Sequence, residues 1–249
     1  MKTAFCGADL RGEERNKLGD RLASIQYPAN KPIEDRWASH QLQSIDGYVA
    51  MVIDGHRGWE MAEYVKKTLA KEIDMVLEKN KQKTYQNEDE YITESLKEAF
   101  DNVEYRYLNF AREAEKYDFA LPHKVGAACL CALVHNNKVY AANSGDCKGL
   151  ILKKEGDKVT FRKINREFNA MSKKEQKRLK EEFPNEEDVY VCKSPDSCYV
   201  KKRLQLTRCF GDFYLKYPEF NNPRHLGREF GYLPPLSTFT GPYLTHKPE

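Results

Sequence analysis

The sequence contains no apolar run of the roughly 18–20 residues that a membrane-spanning helix requires. Its first residues include Asp9, Glu13 and Glu14 and have no apolar segment typical of a secretory signal or a transit peptide. The 249 residues carry a formal net charge of only +3. A nearly balanced charge does not favour bulk nucleic-acid binding, which needs clustered cations to displace counterions from phosphates. We therefore expect neither a membrane span nor a nucleic-acid partner.

The seven cysteines form no pair of CxxC motifs, so their spacing does not favour a structural zinc site. We expect reduced, mostly buried thiols in an intracellular protein. The cytoplasm is the expected compartment, with the mitochondrion and the cilium left open. The chain also has no internal repeat and no low-complexity linker, which favours a single domain over residues 27–249 after an N-terminal extension at 1–26.

Two amphipathic helices are predicted from apolar residues that recur every three or four positions. The first covers about residues 59–78. The buried stripe of the second consists of Ile92, Leu96, Phe100, Val103, Tyr107 and Phe110. Neither helix needs a functional explanation.

Short apolar runs predict strands at residues 48–53 and 126–134. Asn136 and Asn137 follow the second run and are typical of a hairpin turn, because asparagine tolerates positive φ. The spacing of Ser172 and Glu175 indicates a capping box before a charged helix. Helices combined with several hairpins predict an α+β fold in which antiparallel sheets are flanked by helices.

Three acidic clusters stand at the ends of predicted strands, and they contain Glu34–Asp35, Asp54–Gly55 and Asp146. Hard divalent cations such as Mg²⁺ prefer carboxylate and carbonyl oxygens. Water held by such a cation can become a nucleophile. Each cluster has a simpler interpretation, because Asp-Gly is a common turn dipeptide and Glu34–Asp35 fits a solvated surface pair.

The order of these segments resembles that of the type 2C metal-dependent protein phosphatases, most closely their pyruvate dehydrogenase phosphatase branch. The motifs that carry the resemblance are PANKPIEDRW (28–37), YVAMVIDGHRGWEMAEYV (48–65), GAACLCALVHNNKVYAANSGDCKGLIL (126–152), LQLTRCFGDFYLK (204–216) and YLPPLSTFTGPYLTHKPE (232–249). The resemblance therefore runs from about residue 27 to the last residue.

The resemblance implies a β-sandwich flanked by helices, with two divalent ions, Mg²⁺ or Mn²⁺, at one end. A metal-activated water would attack a phosphoserine or phosphothreonine of a phosphoprotein substrate. Carried over motif by motif, Glu34 and Asp54 would be metal ligands, and Gly55 would offer its backbone oxygen. Asp35 is the neighbouring acid of the first motif, and Asp146 would match the residue for an additional, weaker metal.

His56 is the residue that the resemblance implies as general acid for the leaving alkoxide. Its alternative interpretation is a structural histidine packed in the loop. Arg57 follows it where the family has a glycine, which would place a bulky cation beside the metals. A solvent-facing turn residue is the simpler interpretation of Arg57.

Two later aspartate motifs of the family should follow Glu249, and the sequence given does not contain them. The predicted fold is therefore incomplete at its C-terminal end, with a partial metal shell and an exposed strand edge. A protein partner is expected to cover that edge.

The sequence raises three possible functions. The first is a catalytically impaired pseudophosphatase that acts as a scaffold or regulatory subunit of a larger assembly. The alternative is an active Mg/Mn-dependent Ser/Thr phosphatase whose remaining ligands come from a second chain or a further C-terminal part. An RNA-binding module that uses the basic run 173–180 is disfavoured, because such a run is typical of the exposed face of a helix.

Overall fold

The computed structural model describes residues 24–221 and 235–249. Cys6, most of the predicted extension at 1–26 and residues 232–234 of the last motif lie outside the described residues. The helices and strands are β1 (Arg36–Gln41), β2 (Gly47–His56), α1 (Glu60–Asn80), α2 (Glu88–Glu115), α3 (Leu121–Lys124), β3 (Gly126–His135), β4 (Lys138–Ser144), β5 (Leu150–Glu155), β6 (Lys158–Lys163), α4 (Lys173–Glu182), β7 (Tyr190–Ser194), β8 (Ser197–Val200) and β9 (Phe210–Gly211). Antiparallel strands flanked by helices confirm the α+β prediction.

Within residues 24–221 and 235–249, the central sheet has five strands, in the order β1-β2-β3-β4 with β9 paired to the start of β3. Every pairing in it is antiparallel. Side chains of β2 alternate between the two faces, so Val49, Met51 and Ile53 are buried on one side. Asp54 and His56 therefore belong to the opposite face. The turn between β3 and β4 has Asn136 and Asn137 at φ 48° and 57°, which confirms the predicted hairpin.

The long helices α1 and α2 pack against each other and cover one face of the sheet, with α1 on β1 and β2 and α2 next to β4 and β9. Asn87 caps α2, because its side chain accepts the Glu90 N–H at 2.9 Å. Within the described residues, neither these helices nor the shorter ones carry an apolar stretch of bilayer-spanning length.

Two predictions about the helices are wrong in detail. Phe110 is 52% exposed, because the buried face of α2 turns through Leu108 and Ala111 instead. Ser172 stands at the N-cap of α4, but its side chain makes no capping hydrogen bond. Glu175 pairs with Arg178 on the same helix, so no capping box forms.

In the described part of the chain, two separate hairpins, β5–β6 and β7–β8, lie outside the central sheet. Cys192 of β7 and Cys198 of β8 are joined by a disulfide, which corrects the prediction of reduced thiols for this pair. The pairing arises because the register places the two residues opposite each other. Among the described cysteines, Cys129, Cys131, Cys147 and Cys209 are free.

Candidate metal cleft and histidine cluster

Arg36 fixes the backbone of the first acidic motif. Its Nη1 donates to the carbonyl oxygens of Ile33 and Asp35, both at 2.8 Å. Its Nε donates to the Glu63 carboxylate of α1 at 2.6 Å. The charged hydrogen bond to Arg36 holds the pKa of Glu63 below its ordinary value. The motif is therefore anchored to both β1 and α1.

Four acidic residues among those described line one cleft at the end of the sheet, and its volume is about 460 Å³. One is Glu167, which pairs with Lys148 at 3.4 Å. The other three are Asp35 before β1, Asp54 near the end of β2, and Asp146 after β4. The register explains their meeting, because Asp54 pairs with Ala128 and the neighbouring Cys129 pairs with Ser144. The carboxyl ends of β2 and β4 therefore lie at the same edge. The structure brings together three of the predicted ligands.

The donor types of this cleft suit a hard divalent cation, although Asp35, Asp54 and Asp146 do not form a described group whose ligand atoms all lie within 4.8 Å of one another. Its acidic groups are all carboxylates, and oxygen is the ligand atom that Mg²⁺ and Mn²⁺ prefer. The Asn169 amide lies within 3.5 Å of an Asp146 carboxylate oxygen and can orient it. Lys148 and Arg36 also line the cleft, where Lys148 pairs with Glu167 and Arg36 with Glu63.

Glu34, which the resemblance implies as a metal ligand, is not among the residues lining the cleft. Its Oε1 accepts the Gly58 N–H at 2.6 Å, and its Oε2 accepts the Asn30 side-chain amide at 2.5 Å. The carboxylate thereby ties the first motif to the loop after β2. Its role as a metal ligand stays a prediction.

Gly55 lies against the backbone of the first motif. A Cβ at this position would come within 2.5 Å of the Glu34 carbonyl oxygen. Any side chain would push the two motifs apart, so the close approach requires glycine. Whether its own carbonyl binds a cation stays a prediction.

His56 contacts a partner that the sequence does not indicate. Its Nε2 lies 2.5 Å from Oδ2 of Asp212, which follows β9 and is fully buried. Burial lowers the pKa of His56, but the charge and hydrogen bond of Asp212, with a further contribution from Asp54, raise it above the ordinary value. The Cys209 thiol donates to the same Oδ2 at 3.2 Å. Burial and then the nearby Asp212 charge raise the pKa of that thiol.

The position of Asp212 depends on its neighbours. Gly126 pairs with Gly211 across β3 and β9, and a methyl group on Gly126 would overlap both the Asp212 carboxylate and His56 Nε2. Asp212 itself has φ 49°, a left-handed conformation that aspartate tolerates better than most residues. Its backbone N–H donates to the Val125 carbonyl at 2.9 Å. The sequence carried one signal for this residue, the Gly211-Asp212 pair within the fourth motif, but nothing linked it to His56.

Arg57 adopts φ 62°, a region that glycine enters without cost, which explains why glycine suits this position. Its guanidinium lies 5.3 Å from the centre of the Tyr214 ring, a cation–π distance. The side chain is not among those lining the cleft. Its position beside the metals stays a prediction.

Residues 29–249 match the family model described as Protein phosphatase 2C. The chain belongs to the protein phosphatase 2C family. Among curated relatives, it is 30% identical over 200 residues to Probable protein phosphatase 2C 38 of Arabidopsis thaliana, covering 79% of this chain and 46% of the relative. It is 27% identical over 222 residues to Probable protein phosphatase 2C 42 of the same plant, covering 87% and 51%.

Solved structures agree on the fold of this protein phosphatase 2C chain. The serine-threonine phosphatase 2C from Toxoplasma gondii superposes with a TM-score of 0.59 at 13% identity, over 88% of this chain and 68% of that one. A Caenorhabditis elegans sex determining protein gives a TM-score of 0.56 at 20% identity, over 82% and 46%. The chain spans about half the length of the curated relatives it matches.

Proposed function

We propose that this protein phosphatase 2C chain is a pseudophosphatase-like subunit whose cleft holds one divalent cation, Mg²⁺ or Mn²⁺. The observation that carries the proposal is the convergence of Asp35, Asp54 and Asp146 on one cleft. By itself the chain hydrolyses phosphoserine and phosphothreonine esters slowly or not at all, and it acts as a scaffold or regulatory subunit.

Electrostatics favours one cation over two. Two divalent ions about 4 Å apart repel by roughly 16 kcal/mol at an effective dielectric constant of about 20. Several carboxylates must offset that repulsion. Of the described residues, four carboxylates line the cleft, and one of them, Glu167, pairs with Lys148 at 3.4 Å. Asp35, Asp54 and Asp146 are therefore the candidate ligands, and Arg36 adds positive charge to the wall. One divalent ion is the occupancy that this balance supports.

Each residue of the site has a role in the proposal. Asp35, Asp54 and Asp146 would hold the cation, which when bound polarises phosphoryl oxygens and acidifies water. Lys148 is placed to attract the phosphate group of a phosphoprotein. His56 lies on the same face of β2 as Asp54 and would carry the proton for the leaving alkoxide, while Asp212 holds its ring.

The alternative is an active Mg/Mn-dependent Ser/Thr phosphatase whose remaining carboxylates come from a second chain or a further segment. It is supported by the cleft and by the His56–Asp212 pair, which supply the general acid that hydrolysis needs. The two functions differ in the effect of a companion chain or segment. Only the alternative requires that such a companion restores hydrolysis.

A partner protein is part of the proposal, and the β5–β6 hairpin is the surface that supports it. Cross-strand pairing places Leu150, Leu152, Val159 and Phe161 on one face together with Lys154 and Lys163. Leu152 is 66% and Phe161 71% exposed. An apolar stripe with cations at its ends fits an apolar segment flanked by acidic residues. We expect such a segment of a partner protein to cover this face.

Membership of the pyruvate dehydrogenase phosphatase branch stays a prediction that rests on residues 28–37. The cellular compartment also stays a prediction. Neither bears on the chemistry of the cleft.

Hydrolysis of a phosphoserine peptide in Mn²⁺ by the folded chain tests the proposal, with Asp54→Asn as control. The expected result is no turnover above that of the Asp54→Asn variant. Turnover that disappears in the variant would overturn the pseudophosphatase assignment in favour of the active enzyme. Circular dichroism and thermal unfolding of both proteins verify that they are folded.

A further inference from the structure

A second cluster of metal-ligating side chains lies outside the cleft. It comprises His56, Cys209 and Asp212, whose ligand atoms all lie within 4.8 Å of one another. None of the three lines the cleft of Asp35, Asp54 and Asp146. The elements that bring them together are the end of β2 and the segment around β9.

The donor set differs in kind from that of the cleft. An imidazole nitrogen, a thiol sulfur and a carboxylate oxygen form the mixed set that zinc binds in proteins. A thiolate is a poor ligand for Mg²⁺, which selects oxygen. The chemistry of the side chains therefore distinguishes the two sites.

Asp212 carries a second observation that points to a ligand. The residue is fully buried, and its Oδ1 has no hydrogen-bond partner among the described residues. A buried carboxylate oxygen without a partner is costly. A cation bound through Oδ2 would reduce that cost if it also contacts Oδ1, since the other contacts of the cluster are made by Oδ2.

Gly126 provides the third observation. The position where its Cβ would stand adjoins both Asp212 Oδ2 and His56 Nε2. Glycine at this position is what allows two of the three ligand atoms to pack directly against the backbone of β3. His56, whose side chain is 21% exposed, forms the side of the cluster that solvent can reach.

We propose that His56, Cys209 and Asp212 form a zinc site with a fourth position open to water. Zinc binds imidazole and carboxylate atoms at about 2.0–2.2 Å and thiolate at about 2.3 Å, which places tetrahedral ligand atoms roughly 3.3–3.7 Å apart. Nε2 and Oδ2 are now 2.5 Å apart, and Sγ and Oδ2 are 3.2 Å apart. Shifts of about 1 Å, chiefly of the partly exposed His56 ring, would open the cluster to that spacing.

Binding replaces protons by the metal. The Cys209 thiol loses its proton and becomes a thiolate, and the proton between His56 and Asp212 also leaves to solvent. No oxidation or reduction takes place. The zinc ligands are distinct from the three carboxylates of the cleft, but His56 is shared with the proposed function. Zinc on its Nε2 would displace the proton that His56 carries there, so a zinc-loaded chain would lack this general acid.

Cobalt titration of the full chain tests the proposal, because a thiolate bound to Co²⁺ gives a charge-transfer band in the near ultraviolet that oxygen ligands do not give. The metal-free protein is titrated without reductant, so that Cys192 and Cys198 stay paired. We expect the band to saturate at one Co²⁺ per chain and to disappear when Zn²⁺ is added. Absence of the band from the wild-type chain would overturn the proposal.

Variants locate the site. Cys209→Ala should abolish the band, whereas Cys131→Ala, which removes another fully buried thiol, should keep it. Asp54→Asn should also keep it, because Asp54 belongs to the other site. A band that persists in Cys209→Ala would contradict the assignment. If Cys209→Ala does not fold by circular dichroism, Asp212→Asn serves instead, with weakened cobalt binding as the expected result and unchanged binding as the contrary one.

Discussion

The His56 imidazole lies 2.5 Å from the buried Asp212 carboxylate, although 156 positions separate the two residues in the chain. The contact forms because β9 pairs with the first residues of β3, directly beside the end of β2. It links the second and fourth motifs of the protein phosphatase 2C sequence pattern. The contact thereby holds His56 at the same sheet edge as Asp54. The side chains at this edge are positioned by tertiary contacts and not only by the local turn.

Gly126→Ala should destabilise the protein, because its methyl group would overlap His56 Nε2 and the Asp212 carboxylate. We expect a loss of about 1–3 kcal/mol in the free energy of unfolding, measured in urea. Gly156→Ala is the matched control, since no atom lies within 4 Å of its added Cβ and only its φ of 60° opposes the change. A larger loss in Gly156→Ala than in Gly126→Ala would contradict the packing described for His56.

Lys216→Met should be strongly destabilising. Lys216 Nζ donates to Glu104 at 2.5 Å and to the Cys209 carbonyl at 2.7 Å, and both side chains are buried. Removing one member of a buried ion pair costs about 3–5 kcal/mol, because the other charge stays buried. Glu104 also accepts the Gly211 N–H at 3.0 Å, so β9 should loosen too.

Chemical unfolding measures the effect of Lys216→Met, and Lys116→Met is its control. Lys116 forms a surface pair with Glu113, and its loss should stay within about 0.5 kcal/mol. Replacing both buried partners, Glu104→Gln with Lys216→Met, should cost less than Lys216→Met alone. Equal effects at Lys216 and Lys116 would show that the buried pair contributes no more than the surface pair.

Glu98 should make stability depend on pH in the acid range. Hydrogen bonds from Lys79 and Asn80 lower the pKa of Glu98 to about 2. A carboxyl group with a lowered pKa stabilises the fold above its unfolded pKa of about 4.3 and loses that contribution as the pH falls toward its folded pKa. We therefore expect Glu98→Gln to be less stable at pH 7 and to lose less stability between about pH 4.5 and 2.

Urea unfolding at several acid pH values compares the wild type with Glu98→Gln. Glu94→Gln, on the same helix, removes an exposed pair with Lys97 and should follow the wild-type profile. Parallel profiles for the wild type and Glu98→Gln would contradict the assigned role of Glu98.

The β5–β6 hairpin should bind apolar dyes in the isolated chain. Replacing Leu152 and Phe161, which pair across the strands, by threonine should lower the dye fluorescence with little change in stability, because both side chains are already exposed. Ile151→Thr lies on the other face of the hairpin and is the control. If the double variant Leu152→Thr/Phe161→Thr binds the dye as strongly as the wild type, the dye binds to another surface of the chain.

Much of the fold could be predicted because periodicity is local. The stripes of α1 and α2 and the runs of β2 and β3 follow from the burial of one face. Phe110 was assigned to the buried stripe wrongly because it lies three positions after Tyr107. That spacing is typical of a buried stripe, but it also fits a residue just outside the stripe. The Cys192–Cys198 disulfide depends on the register of a hairpin, which spacing in the sequence does not fix.

The candidate site was predictable in part for the same reason. Asp35, Asp54 and Asp146 stand at strand ends, and antiparallel pairing brings such ends together. Asp212 could not be assigned as the partner of His56 from the sequence. Its position depends on the short pairing of β9 with β3 and on the absence of a side chain at Gly126. The carboxylate of Glu34 turns to Gly58, a choice of rotamer that no sequence pattern specifies.

The number of Mn²⁺ ions bound per chain, measured by electron paramagnetic resonance of free Mn²⁺ during a titration, distinguishes a cleft that holds one cation from a cleft that holds two. We expect one ion per wild-type chain and a large loss of affinity in Asp54→Asn, with Cys209→Ala unchanged. Two ions bound with similar affinity, or binding that Asp54→Asn leaves intact, would contradict this expectation.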